Sequence, residues 1–389
     1  MLLDIIFSIL IVLTGFFFIN LNRNEISIYD KKCLKKLWVF HLIFSILYYF
    51  YLQNNSADAT GYWRVAKNST QNDIFLYLQE GPGTSFMYVL NYIPANLMDL
   101  SLFVGMLFYG LIGFLGLYYF YVLTIKYIPY NTKFLGVYLF PALFFLPNLH
   151  FWSAAVGKDT LMFFSIGLFC FSLQKMSKRL PLLLVSILIA FMVRPHVLLL
   201  LLVAFAFAYL FQKKIKAYKK VFLSLLLFGG SLIILPSVVQ YVNLEEVSVE
   251  NVVSYSETQA GNLSGDDVGS SVSISNLPFP IKILTFLFRP LFFDIVNYFS
   301  IVSSFENFIL LLISIKLLML KPLKTFMNAP VLFKGLLIFL ILGSIIFSLS
   351  LSNLGIIIRM KNMFMPGFIM YILWAFSYNY QLKINNYNR

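Results

Sequence analysis

Three acidic side chains of this sequence lie in polar stretches between long apolar segments, where a carboxylate is available for chemistry. Asp58 opens the first long polar stretch, Glu80 precedes a Gly-Pro-Gly turn, and Asp159 follows a lysine at the start of an apolar segment. A carboxylate beside the membrane can act as general base on a sugar hydroxyl. As simpler alternatives, Asp58 is a solvated loop acid, Glu80 belongs to a turn, and Asp159 favours the positive end of a helix dipole.

Three arginines, Arg194, Arg289 and Arg359, are each flanked by apolar residues. A charge at the centre of a membrane helix costs about 2.5–3.5 kcal/mol, so such residues need a partner or a function. The planar guanidinium suits phosphate oxygens, and Lys158 and His196 are further candidates to contact phosphate. An interfacial anchor explains any one arginine, but the set predicts an anionic ligand, namely a lipid-linked diphosphate.

The amino-acid composition indicates which kind of secondary structure carries these residues. The chain is 60% hydrophobic and 12% charged, with a mean hydropathy of +0.83. Apolar windows of about 15–22 residues recur, close to the length that crosses a bilayer, and unpaired backbone groups are not tolerated in lipid. The sequence therefore predicts an all-α, polytopic transmembrane bundle of about eleven spans, forming a single membrane domain of residues 1–389.

Charge distribution predicts the orientation of these spans. The net charge of +13 would suggest nucleic acid in a soluble chain, but the basic residues cluster between apolar windows, so the positive-inside rule explains them and no nucleic-acid partner is expected. This places the N-terminus outside, the C-terminus in the cytoplasm and 21 of the 29 Lys and Arg inside. The other eight lie outside: Arg64, Lys67, Lys158, Arg194, Lys282, Arg289, Arg359 and Lys361.

The predicted spans leave two long external loops, at about 53–100 and 241–300. The spans are expected at about 2–20, 37–52, 101–125, 134–147, 160–174, 180–193, 197–212, 221–240, 301–320, 331–351 and 362–377. Residues 281–293 are expected as a half-inserted or surface helix, because Arg289-Pro290 interrupts them. All the candidate site residues then lie on the extracytoplasmic side.

Common cofactor and metal motifs do not occur in the sequence. It has no P-loop, dinucleotide fingerprint, Gly-x-Ser-x-Gly or His-rich metal motif, which argues against soluble-nucleotide chemistry. Two cysteines, Cys33 and Cys170, are too few for a disulfide framework. No metal site and no cofactor are predicted, although a divalent cation is left open.

Asp58-Ala59-Thr60-Gly61-Tyr62-Trp63-Arg64-Val65-Ala66 resembles the Asp-x3-Tyr-x3-Ala stretch of GT-C superfamily membrane glycosyltransferases. Glu80-Gly81-Pro82-Gly83 is similar to the Glu-Pro-Gly turn of bacterial O-antigen and exopolysaccharide repeat-unit polymerases. The order of Lys158-Asp159, Arg194-Pro195-His196, Phe288-Arg289-Pro290 and Arg359 resembles proteins placed near these polymerases. These pieces are scattered over about 300 residues.

The resemblance implies a GT-C-like bundle in the cytoplasmic (inner) membrane, with its active site on the extracytoplasmic face. It implies a polyprenyl-diphosphate-linked glycan donor bound near Arg194, Arg289 and Arg359, with Asp58 activating or positioning the acceptor hydroxyl. Membrane lipids and polysaccharide export machinery are the expected partners. Positive charge would stabilise the diphosphate leaving group.

Two other functions remain open from the sequence. One is a GT-C-like transferase that moves a single sugar from a polyprenyl monophosphate. The other is a transporter or flippase for a lipid-linked glycan, which would show charged residues at the membrane midplane in broken helices. Deletion of the gene distinguishes a polymerase from a single-sugar transferase, because the loss of a polymerase would reduce long glycan chains to single repeat units.

Overall fold

The computed structural model describes residues 1–21, 26–55, 57–213, 215–242, 277–351 and 353–387. It is about 82% helical, and the sheet found in the described residues is one two-stranded hairpin. The predicted all-α class of a membrane protein is confirmed. Both cysteines are buried and unpaired with each other.

The first part of the chain consists of helices separated by short turns. In order these are α1 (Leu2–Leu21), α2 (Ile28–Asn54), α3 (Asp58–Asn68), α4 (Gln71–Glu80), α5 (Thr84–Tyr92), a π-helical turn (Ile93–Leu97) and α6 (Leu102–Tyr127). Polar side chains set several boundaries, since Ser27 accepts from the Asp30 amide at the start of α2. At the start of α4, Thr70 and Asp73 form a reciprocal capping box.

A hairpin and shorter helices follow α6. They are β1 (Lys133–Phe134), β2 (Val137–Tyr138), α7 (Leu139–Ala142), a 3₁₀ turn (Leu143–Phe145), α8 (Pro147–Phe151), α9 (Lys158–Leu173), α10 (Leu180–Val193) and α11 (Pro195–Leu210). The remaining elements are α12 (Ala217–Tyr241), α13 (Phe279–Phe288), a 3₁₀ turn (Phe292–Asp294), α14 (Tyr298–Leu318), α15 (Pro322–Asn328), α16 (Val331–Ser350), α17 (Leu354–Lys361) and α18 (Met365–Tyr387).

The described residues contain six helices long and apolar enough to cross a membrane, or seven if the bent pair of α17 and α18 is one span. The candidate spans are α1, α2, α6, α12, α14 and α16, and the pair is bent by 60°. The expectation of eleven spans is therefore wrong. The window at 134–147 is a hairpin followed by short helical turns, while α9, α10 and α11 have only 16, 14 and 16 residues. Most of α9 is buried, which is typical of a core helix.

Two compact units make up the described chain. The first unit comprises Met1–Leu123 with Leu149–Pro195, and the second comprises Thr124–Asn148 with His196–Arg389. The expectation of a single membrane domain over residues 1–389 stays a prediction.

Glycines let helices approach closely inside the first unit. A Cβ atom at Gly113 of α6 would lie 1.8 Å from the carbonyl oxygen of Ser153, and one at Gly116 would lie 2.9 Å from the Phe163 ring. Such small residues allow backbone contact between apolar helices, as in membrane bundles. The same helix also leaves room at Gly105 for the indole of Trp63, which joins α3 to α6.

Glycines of α16 allow similarly close contacts in the second unit. A Cβ atom at Gly335 would lie 2.8 Å from the Phe205 ring of α11, and one at Gly343 would lie 2.3 Å from the Phe364 ring. Between these helices and α14, the unit buries several polar side chains, among them Asn307 and Lys361. Buried polar groups in such a setting need hydrogen-bond partners.

The two segments expected as external loops differ in the structure. The first, at about 53–100, contains α3, α4, α5 and the π-helical turn, and none of these is a candidate span. Most of the second, residues 243–276, lies outside the described residues. The orientation of the chain across a membrane stays a prediction.

Candidate functional site

The predicted site residues fall into two sets, one in each unit. Asp58, Glu80, Lys158, Asp159 and Arg194 belong to the first unit. His196, Arg289 and Arg359 belong to the second.

Asp58 is the first residue of α3 and is exposed. The helix is amphipathic, and its buried residues Ala59, Tyr62, Trp63 and Ala66 recur at helical spacing. The indole of Trp63 donates to the carbonyl oxygen of Leu100 over 3.3 Å, which fixes the helix on the body of the unit. Asp58 is thus held at the start of an anchored helix, one turn before the phenol of Tyr62.

Glu80 ends α4 and is followed by a turn that only glycine accommodates easily. Gly81 and Gly83 have φ values of 88° and 109°, in the left-handed region that disfavours side chains. The Gly83 amide donates to the carbonyl oxygen of Met192 over 2.8 Å, and Ser85 donates its hydroxyl to the Glu80 carboxylate. The turn is therefore docked on the last turn of α10, two residues before Arg194.

Tyr88 of α5 connects the two acids. Its pKa is raised, mainly by burial and further by electrostatic interaction with Tyr77, Glu80 and Asp58. Its ring centroid lies 5.0 Å from that of Tyr77 and 6.3 Å from that of Tyr62. Asp58 and Glu80, separated by 22 positions in the sequence, therefore act on the same phenol.

Lys158 brings a cation to this group. It is the first residue of α9, and its Nζ donates to the Thr84 hydroxyl over 3.0 Å. The same Nζ lies 6.0 Å from the centroid of the Tyr62 ring. We call Asp58, Tyr62, Glu80, Tyr88 and Lys158, with Thr84, the polar cluster of the first unit.

Arg194 and Asp159 form a buried ion pair, and Asp159 directly follows Lys158 of the polar cluster in the sequence. An Nη atom of Arg194 lies 2.8 Å from a carboxylate oxygen of Asp159, and the two side chains are only 8% and 7% exposed. Arg194 follows α10, and Asp159 lies in the first turn of α9. The partner that the sequence required for Arg194 is thus a carboxylate of the same unit, which leaves less of its charge for a ligand.

Arg289 of the second unit is also paired with an aspartate, but locally. Its Nε donates to Asp294 over 3.0 Å, and a second guanidinium nitrogen contacts the other carboxylate oxygen. Asp294 also accepts from the Leu291 amide over 2.8 Å, and the guanidinium lies 5.3 Å from the Phe293 ring centroid. The ion pair therefore stabilises the local turn, and the arginine side chain remains 21% exposed.

Arg359 lies on the short helix α17, whose start is capped by Asn353. Lys361 of the same helix is buried, and its Nζ donates to Asn307 over 2.6 Å and to the Leu287 carbonyl over 3.1 Å. The second contact joins α17 to α13, the helix that ends before Arg289. The elements that carry Arg289 and Arg359 are therefore neighbours.

Glu306 of α14 is a buried acid that the sequence reasoning passed over. Its carboxylate accepts from the Asn148 amide over 3.1 Å and from the Asn148 side chain over 2.7 Å, and Asn148 also bonds Ser303. The signal in the sequence is a polar face on an apolar helix. It consists of Ser300, Ser303, Ser304, Glu306 and Asn307. An ionisable residue inside a candidate span is a functional candidate in its own right.

The histidines lie among aromatic rings. The His196 ring stacks on Tyr241 at 5.4 Å and approaches Phe347 at 6.1 Å. His150, which follows the predicted span at 134–147, is fully buried, and its Nδ1 lies 2.9 Å from Nδ1 of His41. Within the part of the chain that the structure describes, no three His, Cys, Asp or Glu side chains are grouped for a metal ion.

Comparison with known protein families, curated proteins and solved structures found no match to this chain.

Proposed function

We propose that the protein is a membrane glycosyltransferase of the polymerase type. It joins polyprenyl-diphosphate-linked repeat units of a surface polysaccharide on the extracytoplasmic face of the cytoplasmic membrane. In the reaction, the acceptor hydroxyl gives its proton to the Asp58 carboxylate as its oxygen bonds to the anomeric carbon of the donor. The bond from that carbon to the diphosphate oxygen breaks, and the electron pair leaves with the polyprenyl diphosphate.

The polar cluster of the first unit is the observation that carries this proposal. It combines an exposed carboxylate, Asp58, with the half-buried ring of Tyr88 and a cation, Lys158, on elements anchored by backbone and indole hydrogen bonds. Sugars pack on aromatic rings, and their hydroxyls donate hydrogen bonds to carboxylates at the edges of those rings. A base of this kind contributes about 10²–10⁴-fold to a transfer rate.

The cations have unequal parts in the proposed reaction. Lys158 contacts a neutral hydroxyl and is partly exposed, so it suits a phosphate oxygen better than Arg194, whose charge is matched by Asp159. In the second unit, Arg289 and Arg359 keep the role that the sequence predicts for them, as ligands of a diphosphate. Asp159 then positions Arg194 rather than taking a proton.

The extracytoplasmic location rests on charge distribution. The segment between α2 and α6 that carries Asp58 and Glu80 contains only two basic residues, Arg64 and Lys67, whereas the junction of α1 and α2 contains five. A reporter fused after Lys220 should be cytoplasmic, and one inserted after Gly265 should be external. The reverse pattern would place Asp58 inside and would end the proposal in this form.

A carrier of lipid-linked glycans is the second candidate, favoured by one observation. Glu306 and Lys361 are buried polar residues on α14 and on the bent pair of α17 and α18, the kind of broken helix found at transporter binding sites. A transferase that adds one sugar from a polyprenyl monophosphate is the third. It would use the same cluster on a smaller donor.

The deciding experiment replaces Asp58 by Asn and follows the surface glycan by chain length. We expect long chains to fall about a hundredfold or more and single repeat units to accumulate. Asp99→Asn is the matched control, because Asp99 is exposed in the same unit, pairs with Lys67, and has a positive φ that asparagine accepts.

Each candidate function predicts a different product in the Asp58→Asn strain. A repeat unit that lacks one sugar by mass spectrometry would favour the single-sugar transferase. Complete units retained on the cytoplasmic side would favour the carrier. Long chains equal to those of the Asp99→Asn strain would remove Asp58 from the site.

A further inference from the structure

A cavity of about 500 Å³ opens in the second unit, and none of the predicted site residues lines it. It lies at the C-terminal ends of α14 and α18 and beside the hairpin of β1 and β2. Its polar lining includes Asn131, Lys133, Tyr138, Lys316, Tyr380 and Lys383. A concave site with a few convergent polar groups is the usual form of a ligand site.

The three lysines of this cavity come from three separate segments of the chain. Among the described residues, none of them forms an ion pair with a carboxylate, and the lining contains no Asp or Glu. Lys316 lies in the last turn of α14, where the helix dipole favours a cation. That explanation does not apply to Lys133, which lies on a strand, 4.5 Å above the Tyr138 ring. Three like charges around one cavity favour an anion within it.

The walls of the cavity are held by bonds that need no ligand. The Leu139 amide donates to the Thr132 carbonyl over 2.9 Å, and the Asn131 side chain donates to the Phe140 carbonyl over 2.6 Å. The Tyr130 amide donates to the Ser377 hydroxyl over 3.0 Å, which fixes the loop to α18. A preformed site loses less conformational entropy on binding.

The position of the cavity along α14 indicates its depth in a membrane. The helix has 21 residues and is therefore about 30 Å long, close to the thickness of the hydrocarbon core. Arg289 and Asp294 precede its N-terminus, and the cavity lies at its C-terminus. The lysines thus lie at headgroup level, on the side opposite to Arg289.

The hairpin beside the cavity has an apolar tip. Leu135 and Val137 are 79% and 61% exposed, and the turn at Leu135 and Gly136 has positive φ values of 48° and 82°. Exposed apolar side chains next to lysines suit an interface where acyl chains and phosphates meet. Free phosphate would make use of the lysines but not of this tip.

We propose that the cavity binds the phosphate headgroup of an anionic phospholipid, with Lys133, Lys316 and Lys383 as its ligands and the hairpin tip among the acyl chains. Clusters of basic residues at the ends of membrane helices recognise such headgroups. The site is independent of the proposed transfer reaction, whose residues lie elsewhere.

The test uses the full chain in a neutral detergent and measures lipid binding by native mass spectrometry. The probes are dioleoyl phosphatidylglycerol, dioleoyl phosphatidylcholine and inorganic phosphate. The test variant combines Lys133→Gln, Lys316→Gln and Lys383→Gln. The matched control removes the same charge at exposed lysines outside the cavity, with Lys178→Gln, Lys219→Gln and Lys324→Gln.

We expect the test variant to bind phosphatidylglycerol at least tenfold more weakly than the wild-type chain, and the control less than twofold. Inorganic phosphate should compete only at millimolar concentration. Equal weakening in the two triple variants would show that net charge alone attracts the lipid and would overturn the proposal. So would phosphatidylcholine bound as tightly as phosphatidylglycerol, or inorganic phosphate bound as tightly as the lipid. All three positions are exposed, so size-exclusion profiles of the variants should match the wild type.

Discussion

Arg194 and Arg289 have the same setting in the sequence and different roles in the structure. Each follows a short apolar helix, precedes a proline and contacts an aspartate. The partner of Arg194 is Asp159, 35 positions away at the start of another helix, and the pair is almost fully buried. The partner of Arg289 is Asp294, five positions away, and the arginine is 21% exposed.

The difference shows that an Arg-Pro dipeptide does not by itself indicate a ligand site. A pair between distant segments joins two helices, so Arg194 and Asp159 hold α9 and α10 together in the first unit. A pair within one turn joins no distant segments, so the partly exposed Arg289 is the arginine to which the proposed function assigns a phosphate. Stability should therefore depend on Arg194, and ligand binding on Arg289.

Replacing Arg194 by Ala should have the largest effect. It leaves Asp159 buried without its counter-ion, and breaking a buried pair in this way costs about 3–5 kcal/mol of unfolding free energy. Denaturant unfolding in detergent, followed by tryptophan fluorescence, measures the loss. The double variant Arg194→Met with Asp159→Leu should recover most of it, because well-packed apolar residues replace a buried pair at little cost. A loss below about 1 kcal/mol in the single variant would contradict the structural role.

Replacing Arg289 by Ala should separate stability from function. We expect a loss of about 1 kcal/mol in unfolding free energy, since the pair is local and partly exposed. The surface glycan should nevertheless lose its long chains. Arg64→Ala is the control, because Arg64 is exposed on α3 and no role in phosphate binding is proposed for it. The contrast between the two arginines fails if Arg289→Ala unfolds as easily as Arg194→Ala, or if it keeps the long chains.

Local signals in the sequence were sufficient for much of the first unit. The Gly-Pro-Gly turn after Glu80, the lysine at the start of α9 and the arginine at the end of α10 are each visible in the sequence. Their proximity depends on contacts between segments, such as the hydrogen bond from Gly83 to Met192. Sequence periodicity does not reveal such a contact, so the sequence alone favours a helix-dipole or catalytic role for Asp159 and does not indicate that its partner is Arg194.

The span count was wrong for a physical reason. An apolar run of about 15 residues is compatible with a membrane span or with a helix buried among other helices, and hydropathy does not distinguish them. α9 is the second kind, because Thr160, Ser165 and Ser172 are buried along it together with its apolar residues. Glu306 is missed for a related reason, because hydropathy alone indicates an apolar window there and does not reveal the polar face that its neighbours form.

The smallest expected effect concerns Tyr88 and tests whether Asp58 and Glu80 are charged beside the same phenol. Burial and the nearby negative charges raise the pKa of Tyr88, so the folded chain holds this proton more tightly than the unfolded chain. The resulting contribution to stability is complete below the ordinary tyrosine pKa of about 10 and is lost as the pH rises through the raised value.

The double variant Asp58→Asn with Glu80→Gln should lower the pKa of Tyr88, but burial, the main cause of the shift, should keep it above the ordinary value. Titration of ¹³Cζ-labelled tyrosine by NMR, assigned with Tyr88→Phe, measures this, and Asp99→Asn should leave the resonance unmoved. An unchanged pKa in the double variant would mean that the two acids do not share Tyr88 and that the polar cluster of the first unit does not converge on this phenol.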